Sequence, residues 1–192
     1  MPFIKTLEKY GTLSEACKAD WNAATQTKNY PAGKELLELG DINNKLFFIE
    51  KGLARVYYFS DVQDITSRFA WEGNFLCSVG SFFSQIPATE QIELLEDSVV
   101  RIISYQHYRQ FLDKHPDLGN LFREIYEQRF VVNDLRTKLI LETNYTKRYS
   151  NFLNAYPEIS ARVQVNHVAS FLGMSYSKLC HIRGELAHES KK

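Results

Sequence analysis

Residues 120–141 contain neither glycine nor proline, and their apolar positions recur at helical spacing. Leu118, Leu121, Ile125, Gln128, Val132, Leu135 and Leu139 succeed one another in steps of three and four. Six of these seven are apolar, which is a heptad seam. A helix over 118–141 spans roughly 35 Å at ~1.5 Å per residue. Such a rod divides the chain into an N-terminal and a C-terminal part. Phe122, Tyr126, Phe130, Val131 and Ile140 add apolar surface outside the seam. One face of the rod can therefore lie on its own domain while another meets a second copy, so a homodimer through 118–141 is expected.

The segment before the rod reads as β-structure with a helical lead-in. Leu13, Ala16, Cys17, Trp21 and Ala24 repeat at helix spacing within the first 25 residues. From Thr27 the pattern changes to short runs rich in aromatic and branched residues, at 36–39, 46–49, 53–59, 65–71, 91–95 and 99–104. Tyr30-Pro31-Ala32-Gly33 and Gly40-Asp41 read as turns. The runs 46–49 and 53–59, separated by Glu50-Lys51-Gly52, read as a hairpin. Many short strands at even spacing indicate a barrel, roll or sandwich. A short helix over 105–114 stops at His115-Pro116, and Asp117 reads as the cap of the long helix.

The segment after the rod is all helical. A helix over 145–155 ends at Tyr156-Pro157. Val165, Val168, Ala169 and Leu172 then share one helix face, Gly173 allows a sharp exit, and Ser175 is a good N-cap for a second helix. Leu179, Ile182 and Leu186 form the buried stripe of that helix. Tyr176, Ser177, Lys178, His181 and Arg183 are left outside, as hydrogen-bonding and cationic residues near a helix N-terminus. This is the spacing of a helix-turn-helix, whose second helix enters the DNA major groove. Residues 143–192 carry seven Lys/Arg against three Asp/Glu, a net +4, in a chain that is neutral overall. A phosphate-contacting surface needs that sign.

Other functions find little support. Hydrophobic residues make up 44% of the 192, enough for a core, yet no apolar run approaches a membrane span. No secretion signal is read at the N-terminus, and a cytoplasmic location is expected. Cys17, Cys77 and Cys180 have no metal spacing and read as small buried groups. His107, His115, His167, His181 and His188 read as surface or helix-cap residues. No nucleophile motif, Gly-rich phosphate loop or metal-spaced His pair occurs, so an enzyme is not expected and no metal or fixed cofactor is assigned.

The order β-roll, long helix, helix-turn-helix resembles the Crp/Fnr family of bacterial transcription regulators along essentially the whole chain. Leu46-Phe47-Phe48-Ile49-Glu50-Lys51-Gly52-Leu53-Ala54-Arg55-Val56 resembles the family's second hairpin. Gly73-Asn74-Phe75-Leu76 resembles the start of its phosphate-binding cassette. The fold implied is α+β: an N-terminal double-stranded β-helix (jelly-roll-like β-roll) over 1–116, a long dimerisation helix over 117–142, and a C-terminal all-α helix-turn-helix domain over 143–192. The resemblance implies double-stranded DNA and a second copy of the chain as partners, with RNA polymerase as a third and no membrane.

The departures from the family are specific. Cyclic-nucleotide binders have an acid where this chain has Asn74, and an arginine clamp where it has Ile86-Pro87-Ala88-Thr89-Glu90-Gln91. Glu90 would repel a phosphate, and Thr89 offers one neutral hydrogen bond in place of a bidentate, charge-assisted pair. The effector pocket around Gly73, Asn74, Phe75, Leu76, Thr89 and Glu90 is thus expected to bind cAMP or cGMP weakly or not at all, leaving an unknown small-molecule effector. A cavity filled by Phe75, Phe82 or Phe83 would leave no room for one. Iron–sulfur and haem sensing lack their ligands. The family's recognition helix favours Arg and Glu where Tyr176 and Ser177 stand, and a second Arg where His181 stands. Residues 184–192 have no strand pattern, so the usual two-stranded wing is not expected. The sequence therefore points first to a dimeric DNA-binding regulator with Ser175, Tyr176, Ser177, Lys178, His181 and Arg183 at the DNA. The alternative is a ligand-sensing or protein-interaction module that has lost DNA binding.

Overall fold

A computed structural model describes residues 2–61 and 63–189. Two four-stranded antiparallel sheets face each other in the N-terminal half. One has the order β1 (Gln26–Tyr30), β8 (Ser98–Ser104), β3 (Lys45–Lys51), β6 (Phe75–Leu76). The other has the order β2 (Glu35–Leu37), β7 (Gln91–Leu94), β4 (Leu53–Phe59), β5 (Asp64–Trp71). Alternate residues of both sheets point inward, and Phe47, Ile49, Ala54, Val56, Ile92 and Val100 close a core between them.

The runs 46–49 and 53–59 are strands but do not form a hairpin with each other. β3 pairs with β8 and β6, while β4 pairs with β5 and β7. The chain crosses from one sheet to the other at Gly52, whose φ is +107°. A Cβ there would overlap the Ser98 side chain and come within 2.9 Å of the Ser98 Cα. Only glycine fits so tight a corner, and it joins the buried stretch 46–49 of one sheet to the buried stretch 53–57 of the other. The true hairpin is β4–β5, with Leu53 opposite Trp71 and Tyr58 opposite Ile65.

Helices cover the outer face of the first sheet. The lead-in is two helices, α1 (Pro2–Leu7) and α2 (Glu15–Ala24), separated around Gly11. The Ser14 hydroxyl caps α2 by accepting from the Cys17 N–H at 3.3 Å. After the short α3 (Val79–Ser84), α4 (Tyr105–Lys114) runs into α5 (Pro116–Leu141). Phe3, Trp21, Phe48, Tyr108, Leu121 and Phe122 pack together between these helices and the sheet. The N-cap of α5 is His115, with Pro116 in the first turn. Asp117 is therefore not the cap; its carboxylate accepts the Ser14 N–H at 2.6 Å and ties α5 to α2.

The seam of α5 is divided among three environments. Leu118, Leu121 and Ile125 are buried against the chain's own roll, and Leu139 is buried in the C-terminal core. Phe122 joins the roll as well. Between these buried stretches Phe130, Val131, Val132 and Leu135 are exposed, Phe130 by 81%, and Tyr126 and Leu141 are also exposed.

The C-terminal half is α6 (Tyr145–Ala155), α7 (Pro157–Ser160), α8 (Val165–Phe171) and α9 (Tyr176–Glu189). Ser190, Lys191 and Lys192, which formed part of the no-wing reading, lie outside the described residues. No helix among the described residues is long and apolar enough to cross a membrane.

Candidate functional site

The α8–α9 pair has the geometry its spacing implied. Val168, Ala169, Leu172, Leu179 and Ile182 are buried together with Phe152, Tyr156 and Ile159. Gly173 makes the turn at φ +62°, and the Ser175 hydroxyl accepts the Lys178 N–H at 3.2 Å. Arg148 holds the frame from beneath. Its guanidinium donates to the Glu142 carbonyl at 2.9 and 2.6 Å and to the Leu172 carbonyl at 2.7 Å. The end of α5 and the end of α8 are thereby joined through one buried side chain.

Ser175, Tyr176, Ser177, Lys178, His181 and Arg183 are all exposed along α9. His181 lies 3.2 Å from Glu185, and the Lys178 ammonium sits over the Tyr145 ring at 5.6 Å. The net charge of 143–192 overstates the free positive charge on this face. Arg148 is consumed by carbonyls, Arg162 by two carboxylates, and Lys147 lies 3.1 Å from Glu142. Lys178 and Arg183 remain as exposed cations on α9 with no acidic partner among the described residues.

The first helix of the pair is locked to the roll. The Thr66 N–H of β5 donates to the Ser170 hydroxyl of α8 at 2.8 Å. Phe69 of β5 meets Phe171 of α8 at 5.1 Å between ring centroids, and Trp71 meets Tyr156 edge-on at 6.2 Å. Leu53 and Phe69 of the roll belong to the same buried cluster as the helix-turn-helix core. Arg162 closes the contact by pairing with Glu72 at 2.9 Å and Glu96 at 2.6 Å. Burial alone would raise the Glu72 pKa, but hydrogen bonds from Arg162 and from the Gly52 N–H outweigh it and hold the group below the ordinary carboxylate value.

His115 stands at a helix cap, as read, but is buried, and His167 is neither a surface nor a cap residue. His115 is buried at the head of α5, 2.8 Å from Asp20, and its ring packs edge-on to Phe111. His167 is 8% exposed on α8 and faces the roll, because its helix is pressed onto β5. Burial lowers its pKa, the positive charge of Arg55 adds to that, and Asp64 and Glu93 oppose it. A histidine held neutral in the fold binds its proton more readily when unfolded. Its contribution is complete above the ordinary histidine value near 6.5 and declines as pH falls from there toward the folded value. The α8 amides are accordingly expected to exchange faster at pH 5.5 than at pH 7.5 relative to those of α4, and a His167→Gln variant should lose that difference.

The cassette residues are drawn together only in part. Gly73 turns at φ +85°. Asn74 faces α5, where its Oδ1 accepts from Arg129 at 2.7 Å. Phe75, Leu76 and Glu90 line a cleft of about 560 Å³ between the roll and α5, whereas Thr89 is exposed outside it. Phe82 is fully buried, but Phe75 and Phe83 stand in the cleft wall and leave its volume open. Elsewhere, donor atoms of Cys17, His115 and Asp117 lie within 4.8 Å of one another, a convergence the sequence spacing hid. Two of the three are already engaged, Asp117 with Ser14 and His115 with Asp20.

Comparison with known proteins agrees with this arrangement. Residues 27–115 match the cyclic nucleotide-binding domain family. A protein assigned as a Crp/Fnr-family transcriptional regulator from Eubacterium rectale superposes with a TM-score of 0.71 at 19% identity, covering 92% of this chain and 85% of its own. The chain has the Crp/Fnr fold. The same fold is shared with CLP of Xanthomonas campestris, a c-di-GMP-responsive global regulator, at TM-score 0.73 and 15% identity over 92% of this chain and 93% of that one. FixK2 of Bradyrhizobium japonicum matches at TM-score 0.69 and 14% identity, covering 86% of each chain. No curated protein matches the sequence significantly. Within the Crp/Fnr fold, Arg129, Arg148 and Arg162 are the residues sequence reasoning missed. Each meets a partner at least six residues away in sequence, and no local pattern marks such pairings.

Proposed function

We propose that the chain is a dimeric DNA-binding transcription regulator of Crp/Fnr type whose roll answers to a small-molecule effector other than cAMP. The observation that carries this reading is the Ser175-capped α9. It presents Tyr176, Ser177, Lys178, His181 and Arg183 to solvent on a frame fixed to a sensory-type roll. Hydroxyl, imidazole, ammonium and guanidinium groups on one exposed helix are the donors that meet base edges and phosphates. The structural neighbours bear the names of regulators, among them CLP and the catabolite activator protein of Thermus thermophilus. The uncovered stripe of Phe130, Val131, Val132 and Leu135 on α5 supports a second copy as the partner, since apolar surface of this kind is costly to leave in water. Two copies would place two α9 helices on one face of the duplex, about one turn or ~34 Å apart.

Gel-shift titration on the chain's own upstream region tests the reading. Binding should weaken steeply with salt. Lys178→Ala and Arg183→Ala should each weaken it several-fold, and each should reduce the salt slope by about one if the contact is to phosphate. Absence of any shift at low salt across genomic fragments would instead favour a sensing or protein-interaction module without DNA.

A further inference from the structure

Three arginines converge on the cleft between the roll and α5. Arg68 comes from β5, and Arg129 and Arg136 stand a heptad apart on α5. None of them forms an ion pair among the described residues. Arg68 donates to the Cys77 carbonyl at 2.5 Å and Arg129 to the Asn74 amide oxygen at 2.7 Å, both neutral acceptors. Arg136 lies over the Phe171 ring at 4.8 Å. The Nε atoms of Arg68 and Arg136 are buried without a hydrogen-bond partner. Burial lowers the pKa of both Arg129 and Arg136, and the charge of Arg68 lowers them further. Glu90 lines the cleft and is the single acid there among the described residues, unpaired with any of the three.

Like charges gathered in a partly dry cleft with donors unmet are costly to the free protein, and an anion relieves that cost. A guanidinium fork matches a carboxylate or a phosphate equally well. The remaining wall selects the rest of the ligand, because Phe69, Trp71, Phe75, Phe122, Phe130 and Phe171 offer aromatic surface. A volume of about 560 Å³ falls in the range of small-molecule sites. Asn74 completes the logic. A carboxylate at that position would neutralise Arg129, and the amide leaves its charge available.

We propose that this cleft binds a small amphipathic anion, its carboxylate or phosphate head held by Arg68, Arg129 and Arg136 and its apolar body against the aromatic wall. The proposal rests on the roll being the sensory domain, and it names the chemistry of the effector and the groups that recognise it.

Calorimetric titration of the full chain without DNA tests it, using decanoate, decyl phosphate, decan-1-ol and cAMP, all below micellar concentrations. One or both of the amphipathic anions should bind saturably, and the tighter of the two identifies the head group. Decanol and cAMP should bind at least tenfold more weakly. Asn74→Asp keeps the side-chain shape and sets a carboxylate against Arg129, so it should weaken the anion at least tenfold while leaving circular dichroism unchanged. Arg136→Gln should do the same. Equal binding of decanol and decanoate, tighter binding of cAMP, undiminished binding by Asn74→Asp, or no binding of either anion would each overturn the proposal. Because DNA is absent, these outcomes are independent of whether the chain binds DNA, which the gel shift decides separately.

Discussion

Phe171→Ala is expected to destabilise the protein by about 3–5 kcal/mol and to separate the C-terminal helices from the roll. The ring is 2% exposed and stands where three parts of the chain meet. It contacts Phe69 of β5 at 5.1 Å, Phe152 of α6 at 5.9 Å and Tyr156 at 5.6 Å, and Arg136 of α5 lies over it. Truncation leaves a void bordered by two domains, and neither can collapse into it alone. Urea unfolding monitored by tryptophan fluorescence and by circular dichroism should then yield two transitions in place of one. Trp21 reports the helical cover of the roll, whereas Trp71 sits against Tyr156 and reports the junction, so the first transition should carry part of the helical signal and the Trp71 change, and the second the Trp21 change. Phe171→Leu, which keeps most of the buried surface, should cost about 1 kcal/mol and retain a single transition. A Phe171→Ala protein that unfolds in one step with a loss below about 1 kcal/mol would show that the two halves are not joined here.

Arg55→Ala is expected to cost about 3 kcal/mol or more for a different reason. Its side chain is 6% exposed and pairs with Asp64 at 2.8 Å and Glu93 at 2.9 Å. The guanidinium also lies over the Tyr57 ring at 4.0 Å. Removing it leaves two carboxylates, on the two strands that flank β4, with no cation between them, which is costlier than never having built the cluster. Part of the loss is screened, since Asp64 and Glu93 are about one-third and one-fifth exposed. The same change removes a positive charge that lowers the His167 pKa, while Asp64 and Glu93 remain to raise it. The deficit relative to wild type should therefore be largest at neutral pH and shrink as His167 protonates. Thermal melts of Arg55→Ala and wild type from pH 5.5 to 8 measure this. A deficit that grows on acidification would contradict the charge cluster as the cause.

Much of this architecture was legible in the chain because its signals are local. The heptad spacing of α5, the aromatic and branched runs of β4 and β5, and the Gly173–Ser175 interval each reside within a few turns of sequence. Observed helices α4 and α6 coincide with the segments read from periodicity, since each is bounded by a cap or a proline. The misreadings share the opposite property. Glu50-Lys51-Gly52 has the composition of a hairpin turn, yet the distant Ser98 decides that the chain turns a corner between sheets. Seam residues Leu118, Leu121 and Ile125 have the spacing of a dimer interface, yet the roll already occupies them. The basic excess after residue 142 has the sign of DNA-facing charge, yet Arg148 and Arg162 spend theirs on Leu172, Glu72 and Glu96. The candidate pocket was legible as a degenerate cassette, but its arginines come from β5 and α5, which no motif links to Gly73.

Footprinting of the full chain on its upstream DNA at low salt tests the regulator reading most directly. Two protected patches centred about 10 base pairs apart, shifted together to several-fold higher protein concentration in an Arg183→Ala protein that remains folded, are the expected result. Uniform protection without a pattern, or none at any salt concentration, would contradict it.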